Sequence, residues 1–493
     1  MVNDVMKSRI FTVFTSPGHG SPGAAPESLL TNDQLLDKLS ADCGKLEFIV
    51  RDLSAPGQSA EAVVEELQDI AEDFSGVLVV GPVRNYALAL NGLPTIVVYN
   101  LFEFMNAPYN LFRLGEEKNS VLTGGFDLPR PRVLTAQLDR RNVAAPDVTK
   151  TMYTDLVEKI GTVAAIGRLK QSRILSVTPF ANLAQVDYQG DTRKQFPEDY
   201  NERFRSALLD ALGLEIVSAS PQQFFEAYRE IDATQAEDLA RKWADGAHVV
   251  TAAFPEIVKT GRAYLALDAL REAHDCNAVS THMRSVAPGN DLKDRFWPGL
   301  GLECGFKMRG IQAVCQDYPH ILATQMLGYF MTGRPSMLGD LMTDTFNNVD
   351  ILTHCGAPIN PYGDERRLPY SIHTHAESPV RDTQASGSST GLKVEWPVHE
   401  PVTVWKLYPQ ARKIGLHTGT IVDGHKLYRE LDAMMCRTKL VVHTNAASVQ
   451  EFYSPEEYGI HRAATLGDLR ERVRDLAALL DFEFMEEDRV NQL

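Results

Sequence analysis

Residues Gly310–Pro358 read GIQAVCQDYPHILATQMLGYFMTGRPSMLGDLMTDTFNNVDILTHCGAP. Ile311–Cys315 reads as a buried strand, followed by Gln316 and Asp317. Pro319 stands where the first turn of a helix tolerates a missing N–H, and Gly333 is the residue type that closes a helix in the left-handed conformation. Arg334-Pro335 breaks the chain, and Ser336–Leu338 reads as a second short strand with Asp340 just beyond it. A third strand, Val349–Thr353, delivers His354 and then Cys355-Gly356. Ligand-capable side chains thus stand at the carboxyl ends of three successive strands, where open α/β sheets bind ligands. Carboxylate oxygens with an imidazole nitrogen suit Mn²⁺, Mg²⁺ or Fe²⁺ more than a thiolate-seeking ion.

Outward from this segment, short β-branched runs alternate with longer amphipathic stretches, the signature of βαβ units and parallel sheets. Strands are expected at Ile10–Thr15, Leu46–Val50, Val77–Gly81 and Thr95–Tyr99, with helical spacing over Asp33–Leu39 and Glu61–Ile70. A long helix over Thr149–Leu169 leads to a fresh strand, Arg173–Pro179. The alternation then repeats: strands Glu215–Ser218 and His248–Ala252, helices Thr234–Trp243 and Ile257–Glu272. Beyond about Asn348, Pro, Gly and Ser become frequent, Gln384–Gly391 reads as a flexible loop, and Val402–Leu407 and Ile414–Val422 look antiparallel. The expected fold class is α/β: two Rossmann-like parallel-sheet domains, residues 1–171 and 172–347, the second carrying part of the metal site. A β-rich, antiparallel barrel-like C-terminal domain follows over residues 348–493, finished by a helix at Leu466–Leu480.

The chain's 493 residues exceed what one hydrophobic core holds, and 44% hydrophobic with 23% charged residues is a globular composition. A net charge of −16 without a basic run argues against nucleic acid and anionic membranes as partners. No apolar run reaches the roughly 18 residues of a membrane span, and the N-terminus lacks a secretory pattern, so a cytoplasmic location is expected. Cys43, Cys276, Cys304, Cys315, Cys355 and Cys436 are scattered without a CxxC pair. They read as reduced thiols rather than a disulfide framework or structural zinc site.

The motifs surrounding Gln316, Asp340 and His354 resemble the L-fucose isomerase/L-arabinose isomerase superfamily of metal-dependent ketol isomerases. The pattern there is Cys-Glu at a strand end, a helix closing on Thr-Gly-x-Pro, and then an acidic residue. Cys315-Gln316, Thr332-Gly333-Arg334-Pro335 and Asp340 match it, with Asp340 falling 24 residues after Gln316. His354, in HCGAP, is similar to the strand end that supplies a metal histidine, and Tyr458–His461 resembles the Gly-x-His before the last helix. Gly261–Leu267 and Val402–Leu407 are looser similarities, so the resemblance spans about Arg173–Phe484.

The resemblance implies an aldose–ketose isomerase acting on an unphosphorylated monosaccharide through an enediol, with Mn²⁺ or another divalent cation such as Mg²⁺, Fe²⁺ or Co²⁺. Asp340, His354 and His461 would hold the metal, with Gln316 a weaker ligand and Asp340 or Glu303 moving the proton. It further implies a homotrimer or homohexamer in which the N-terminal domain of one subunit helps close the next subunit's site, so that His19 approaches substrate. Where the family has glutamate this chain has Gln316, which coordinates through its carbonyl but cannot act as a general base. Either Glu303 or Asp317 supplies the carboxylate, or the chain is a sugar-binding homologue whose catalysis has diverged.

Plainer roles stand beside each of these. Asp340 could terminate a strand, His354 sit satisfied below a turn and His461 cap the last helix. Asp317 reads as the N-cap ahead of Pro319, and Glu303 as a surface residue. His373, His375 and Glu377 alternate, and either line the pocket or lie in a solvated loop; Trp297 and Trp405 either stack on a sugar ring or are buried. Met326 and Phe330 are core. Gly18–Gly23 spells GxGxxG after a strand, the dinucleotide fingerprint of an NAD-dependent oxidoreductase. Against it, Asp52 follows Gly18 by 34 residues, where a tight βαβ unit has about 20.

Overall fold

Strands buried on both faces carry apolar residues at consecutive positions, and Arg9–Phe14, Gly76–Val80 and Thr95–Tyr99 are of this kind. The computed structural model describes residues 8–15, 30–81, 88–89, 91–99, 132–140, 147–177, 199–281, 298–364, 366–376, 378, 387–433, 436–452 and 460–489. The chain divides into two units: Met1–Lys170 with Glu471–Glu483, and Gln171–Arg470 with Phe484–Leu493. In the first unit β1 (Arg9–Phe14), β2 (Glu47–Asp52), β3 (Gly76–Val80), β4 (Thr95–Tyr99) and β5 (Val133–Gln137) form a parallel sheet ordered β2-β1-β3-β4-β5. Helix Asn32–Asp42 starts on a capping box in which Thr31 and Gln34 each accept the other's backbone N–H. Ser59 caps Ala60–Ile70 in the simpler way. The helix Asp147–Lys170 carries Lys159, whose ammonium lies 3.3 Å from Asp475 on the C-terminal helix Arg470–Leu480.

The second unit opens with β6 (Arg173–Val177), β7 (Glu215–Ala219), β8 (Val249–Val250), β9 (Ala278–Thr281) and β10 (Ala313–Val314). Four of these make a parallel sheet, β10-β9-β6-β7. The chain continues through β11 (Met337–Asp344), β12 (Val349–His354), β13 (Tyr370–His373), β14 (Gly391–Val394), β15 (Pro401–Tyr408), β16 (Lys413–Ile421), β17 (Thr438–His443), β18 (His461–Leu466) and β19 (Glu483–Glu486). Strands β15-β18-β11-β12-β17-β16 pair antiparallel, and β15 pairs back onto β16, closing a six-stranded barrel with β19 added beside β16. The expected α/β class, with parallel sheets and an antiparallel barrel in the C-terminal region, is therefore what the chain adopts. β8 leaves the parallel sheet instead and joins β13 and β14.

Two expectations about the deciding segment need correction. Asp340 is not beyond a short parallel strand. It lies within β11, which pairs antiparallel with β12 and β18 in the barrel wall. His354 likewise ends a barrel strand, so only Cys315 and Gln316 leave a parallel sheet. The cause is burial on both faces. Leu352, Val404, Leu440, Val442 and Ala464 share one apolar cluster inside the barrel, while helix Pro319–Thr332 covers the other face. A Cβ on Gly328 of that helix would come within 3.2 Å of the Trp405 indole. Register and alternation put Asp340, His461, Trp405 and Thr465 together on this helix-covered face.

Candidate metal centre

Asp340 and His461 are direct neighbours across β11 and β18, and their side chains meet at 2.7 Å, Oδ1 to Nε2. Both are buried, and the Tyr318 ring lies on the His461 imidazole at 4.0 Å between centroids. Burial pushes the Asp340 carboxyl up, but His461 and then His354 more than offset it and hold it below the usual range. Burial also pushes His461 down. An ionised carboxylate beside a neutral imidazole is the protonation state in which both coordinate a cation. Ligand atoms adjacent in an octahedral shell with metal–ligand distances of about 2.1 Å stand about 3 Å apart, so the observed separation fits a small oxygen-seeking ion after a slight opening.

His354, at the end of β12, acts electrostatically on both, but among the described residues it does not gather with Asp340 and His461 into one metal-sized group as the sequence leads one to expect. Its Nε2 is 3.3 Å from Gln316 Oε1. Its Nδ1 is 3.4 Å from Cys355 Sγ and 3.8 Å from Cys315 Sγ. The two sulfurs, 40 residues apart in the chain, are 3.1 Å apart in space. Burial opposes a charge on His354 while Cys355, Asp340 and Glu303 favour it, and the balance raises its pKa to about 9. Cys315, His354 and Cys355 form a buried group able to hold a metal ion. From the sequence alone these cysteines read only as scattered reduced thiols. Their signal was positional: each follows directly on a strand, at Val314 and His354.

Glu303 is buried rather than on the surface. It lies in a widened turn, Leu302–Phe306, a type frequent at functional sites. Its Oε1 is 2.9 Å from Lys307 Nζ, which also donates to Ser336 O at 2.8 Å. Its Oε2 has no hydrogen-bond partner among the described residues. A Cβ on Gly356 would stand 3.1 Å from Glu303 Cγ, which places this carboxylate beside the turn after Cys355. Burial pushes its pKa up. Asp317 is not the helix N-cap; that position is Tyr318. The Asp317 carboxylate is buried, accepts from Ser176 Oγ and Ser280 Oγ, and so ties β10 to β6 and β9.

Of the other expected site residues, His375 is buried, its backbone N–H donating to Ser388 O at 3.3 Å. Burial, then His354 and Arg437, lower its pKa to about 3. His373 is half-buried, with Nδ1 2.9 Å from Thr251 Oγ1. Trp405 is fully buried and donates Nε1–H to Thr465 Oγ1 at 3.1 Å. It serves the barrel wall and has no ring face open to a sugar. His19, Trp297, Glu377 and the Gly18–Gly23 motif lie outside the described residues.

A separate cavity of about 340 Å³ is lined by Lys393, Trp396, Asp432 and Lys439, among others. It also takes in Arg437, which donates to Thr374 O beside His375. No helix among the described residues is long and apolar enough to cross a membrane. Against known proteins, no family model matches the chain, and neither does any curated sequence.

Proposed function

We propose that this protein is a metal-dependent sugar isomerase of the fucose/arabinose isomerase type, moving a proton between adjacent carbons of an unphosphorylated monosaccharide. The observation that supports the reading is the Asp340–His461 pair at 2.7 Å, with His354 near enough to act on both electrostatically. Asp340 and His461 would hold the ion, with Gln316 and His354 completing the set. Mn²⁺ suits these oxygen and nitrogen donors best, with Mg²⁺, Fe²⁺ or Co²⁺ as substitutes. When bound, such an ion polarises carbonyl and hydroxyl oxygens.

The chain's own residues divide the remaining work. Asp340, held ionised, positions charge at the reacting carbons. Glu303, kept ready to carry a proton by burial, serves as the acid–base group that Gln316 cannot be. Lys307, just past that turn and four residues on, orients Glu303. On this reading the assembly is a homotrimer or homohexamer, which sedimentation velocity distinguishes.

The test is turnover of unphosphorylated pentoses and 6-deoxyhexoses by chelator-treated protein resupplied with Mn²⁺. Activity should return with Mn²⁺ and vanish in Asp340→Asn. Turnover indifferent to both EDTA and that substitution rejects the assignment. Gln316 itself favours a second reading, a sugar-binding homologue without catalysis. Calorimetry would then register sugar binding without turnover, and Gln316→Glu should raise activity.

A further inference from the structure

We propose that Cys315, Cys355 and Nδ1 of His354 form a second cation site, for a thiophilic divalent ion of the Zn²⁺ class, apart from the Asp340–His461 pair. The geometry is close to what such an ion needs. With Zn–S of about 2.3 Å and Zn–N of about 2.0–2.1 Å, tetrahedral ligands stand about 3.8 Å apart for sulfur–sulfur and about 3.5 Å for sulfur–nitrogen. Here the sulfur–nitrogen separations are 3.4 and 3.8 Å, and the sulfurs, at 3.1 Å, need only spread apart. Cys315 Sγ is nearly equidistant from both ring nitrogens, 3.8 and 3.9 Å, so Cys355 selects Nδ1.

The environment supports the same assignment. A metal-bound imidazole commonly donates its remaining N–H to a carbonyl or carboxylate, which fixes tautomer and ring orientation. Nε2 of His354 faces Gln316 Oε1 at 3.3 Å, an amide carbonyl able to accept that proton. Gln316 thus acquires a role its lack of basicity does not impair. Charge balances as well: Zn²⁺ displaces two thiol protons and the Nδ1 proton of His354 to solvent, and two thiolates, a neutral imidazole and the dication leave a neutral centre. A neutral centre is what a buried location tolerates, since isolated charges there are costly. Three protein ligands leave one coordination position for water.

The site itself does not depend on the sugar chemistry, but its consequence for turnover does. An ion on Nδ1 fixes His354 and Gln316 together and withdraws both from the ion held by Asp340 and His461. Thiophilic cations should therefore inhibit Mn²⁺-supported turnover.

The test uses the full chain, reduced and freed of metal, with Co²⁺ as the spectroscopic stand-in for Zn²⁺. A thiolate-to-Co²⁺ charge-transfer band in the near ultraviolet is expected. It should be lost in Cys315→Ser/Cys355→Ser and retained in Asp340→Asn. No band in the unaltered protein, or a band that survives the double serine change, overturns the proposal. Should the double variant not fold, X-ray absorption on the Zn²⁺-loaded unaltered chain decides: a first shell containing sulfur supports the site, and one of oxygen and nitrogen alone rejects it. Absence of isomerase turnover would bear on the isomerase reading and leave these spectra unaffected.

Discussion

Two buried histidines, His417 and His354, are both raised to a pKa of about 9, but by different surroundings. His417 has a carboxylate at each nitrogen: Glu487 Oε2 at 2.8 Å from Nδ1 and Asp350 Oδ2 at 3.1 Å from Nε2. Arg462 stands 3.8 Å from the far oxygen of Glu487, so cations and anions close into one cluster. His354 has sulfur near one nitrogen and an amide oxygen near the other. Asp350 and His354 occupy alternating positions of the same strand, β12, about 13 Å apart at four residues' separation. One strand therefore carries a buried ion cluster toward one end and a sulfur, nitrogen and amide-oxygen donor set at the other. Burial of a histidine does not mark a site; what its two nitrogens face does.

The comparison is most sharply broken at Asp340. Asp340→Asn should lower turnover by about 10²–10⁴-fold, the range for losing a group that acts on a reacting proton or charge. Its unfolding midpoint should move less than that of a substitution at His417. The converse holds at His417: replacing it with Gln strands the buried carboxylates of Asp350 and Glu487 and should cost about 3–5 kcal/mol in urea unfolding. Turnover per folded molecule should be preserved. Equal stability losses at the two sites would erase the distinction.

A pH series sharpens it further. Burial opposes the His417 charge, but Asp350 and Glu487 outweigh burial and raise its pKa to about 9, above the unfolded value of about 6.5. Its stabilisation is therefore complete below about pH 6.5 and disappears as pH rises through about 9. The amount at stake is roughly 3 kcal/mol. The gap in urea midpoint between wild type and His417→Gln should narrow over that window.

The smallest effect is expected between the two centres. Gly339 of β11 faces Leu352, and an added Cβ would come within 2.7 Å of Leu352 Cβ. Gly339→Ala should cost about 1–3 kcal/mol through overpacking, leaving Mn²⁺ affinity unchanged.

How much was legible beforehand follows from the same physics. Thr95–Tyr99 was placed to the residue, and Arg9–Phe14, Gly76–Val80 and the helix Phe254–Ala273 nearly so, because apolar runs in strands and long helical periods are local signals. In the barrel, Pro401–Tyr408 and Lys413–Ile421 were anticipated but Thr438–His443 and His461–Leu466 were not. His461–Leu466 is buried at all six positions, so the alternation that announces an antiparallel strand is missing, and the sequence shows only a His461 ahead of a helix starting at Leu466. Val133–Gln137, Tyr370–His373 and Gly391–Val394 were likewise too short and too ordinary to stand out.

At the candidate centre, Asp340 and His461 were selected through a resemblance, and the fold does bring them together. Asp317 was misplaced because an Asp ahead of Pro satisfies the capping pattern, whereas its real partners, Ser176 and Ser280, come from remote strands. The Cys315–Cys355 approach is of the same kind. It is a product of the turn after β10 meeting the turn after β12, and no spacing in the chain announces it.

The most direct measurement is an electron paramagnetic resonance titration of Mn²⁺ into chelator-treated protein, comparing wild type with Asp340→Asn/His461→Gln. Wild type should take Mn²⁺ out of the free pool at a single class of site, and the double variant should leave it free. Uptake of equal affinity and extent by both proteins would contradict the assignment of Mn²⁺ to Asp340 and His461.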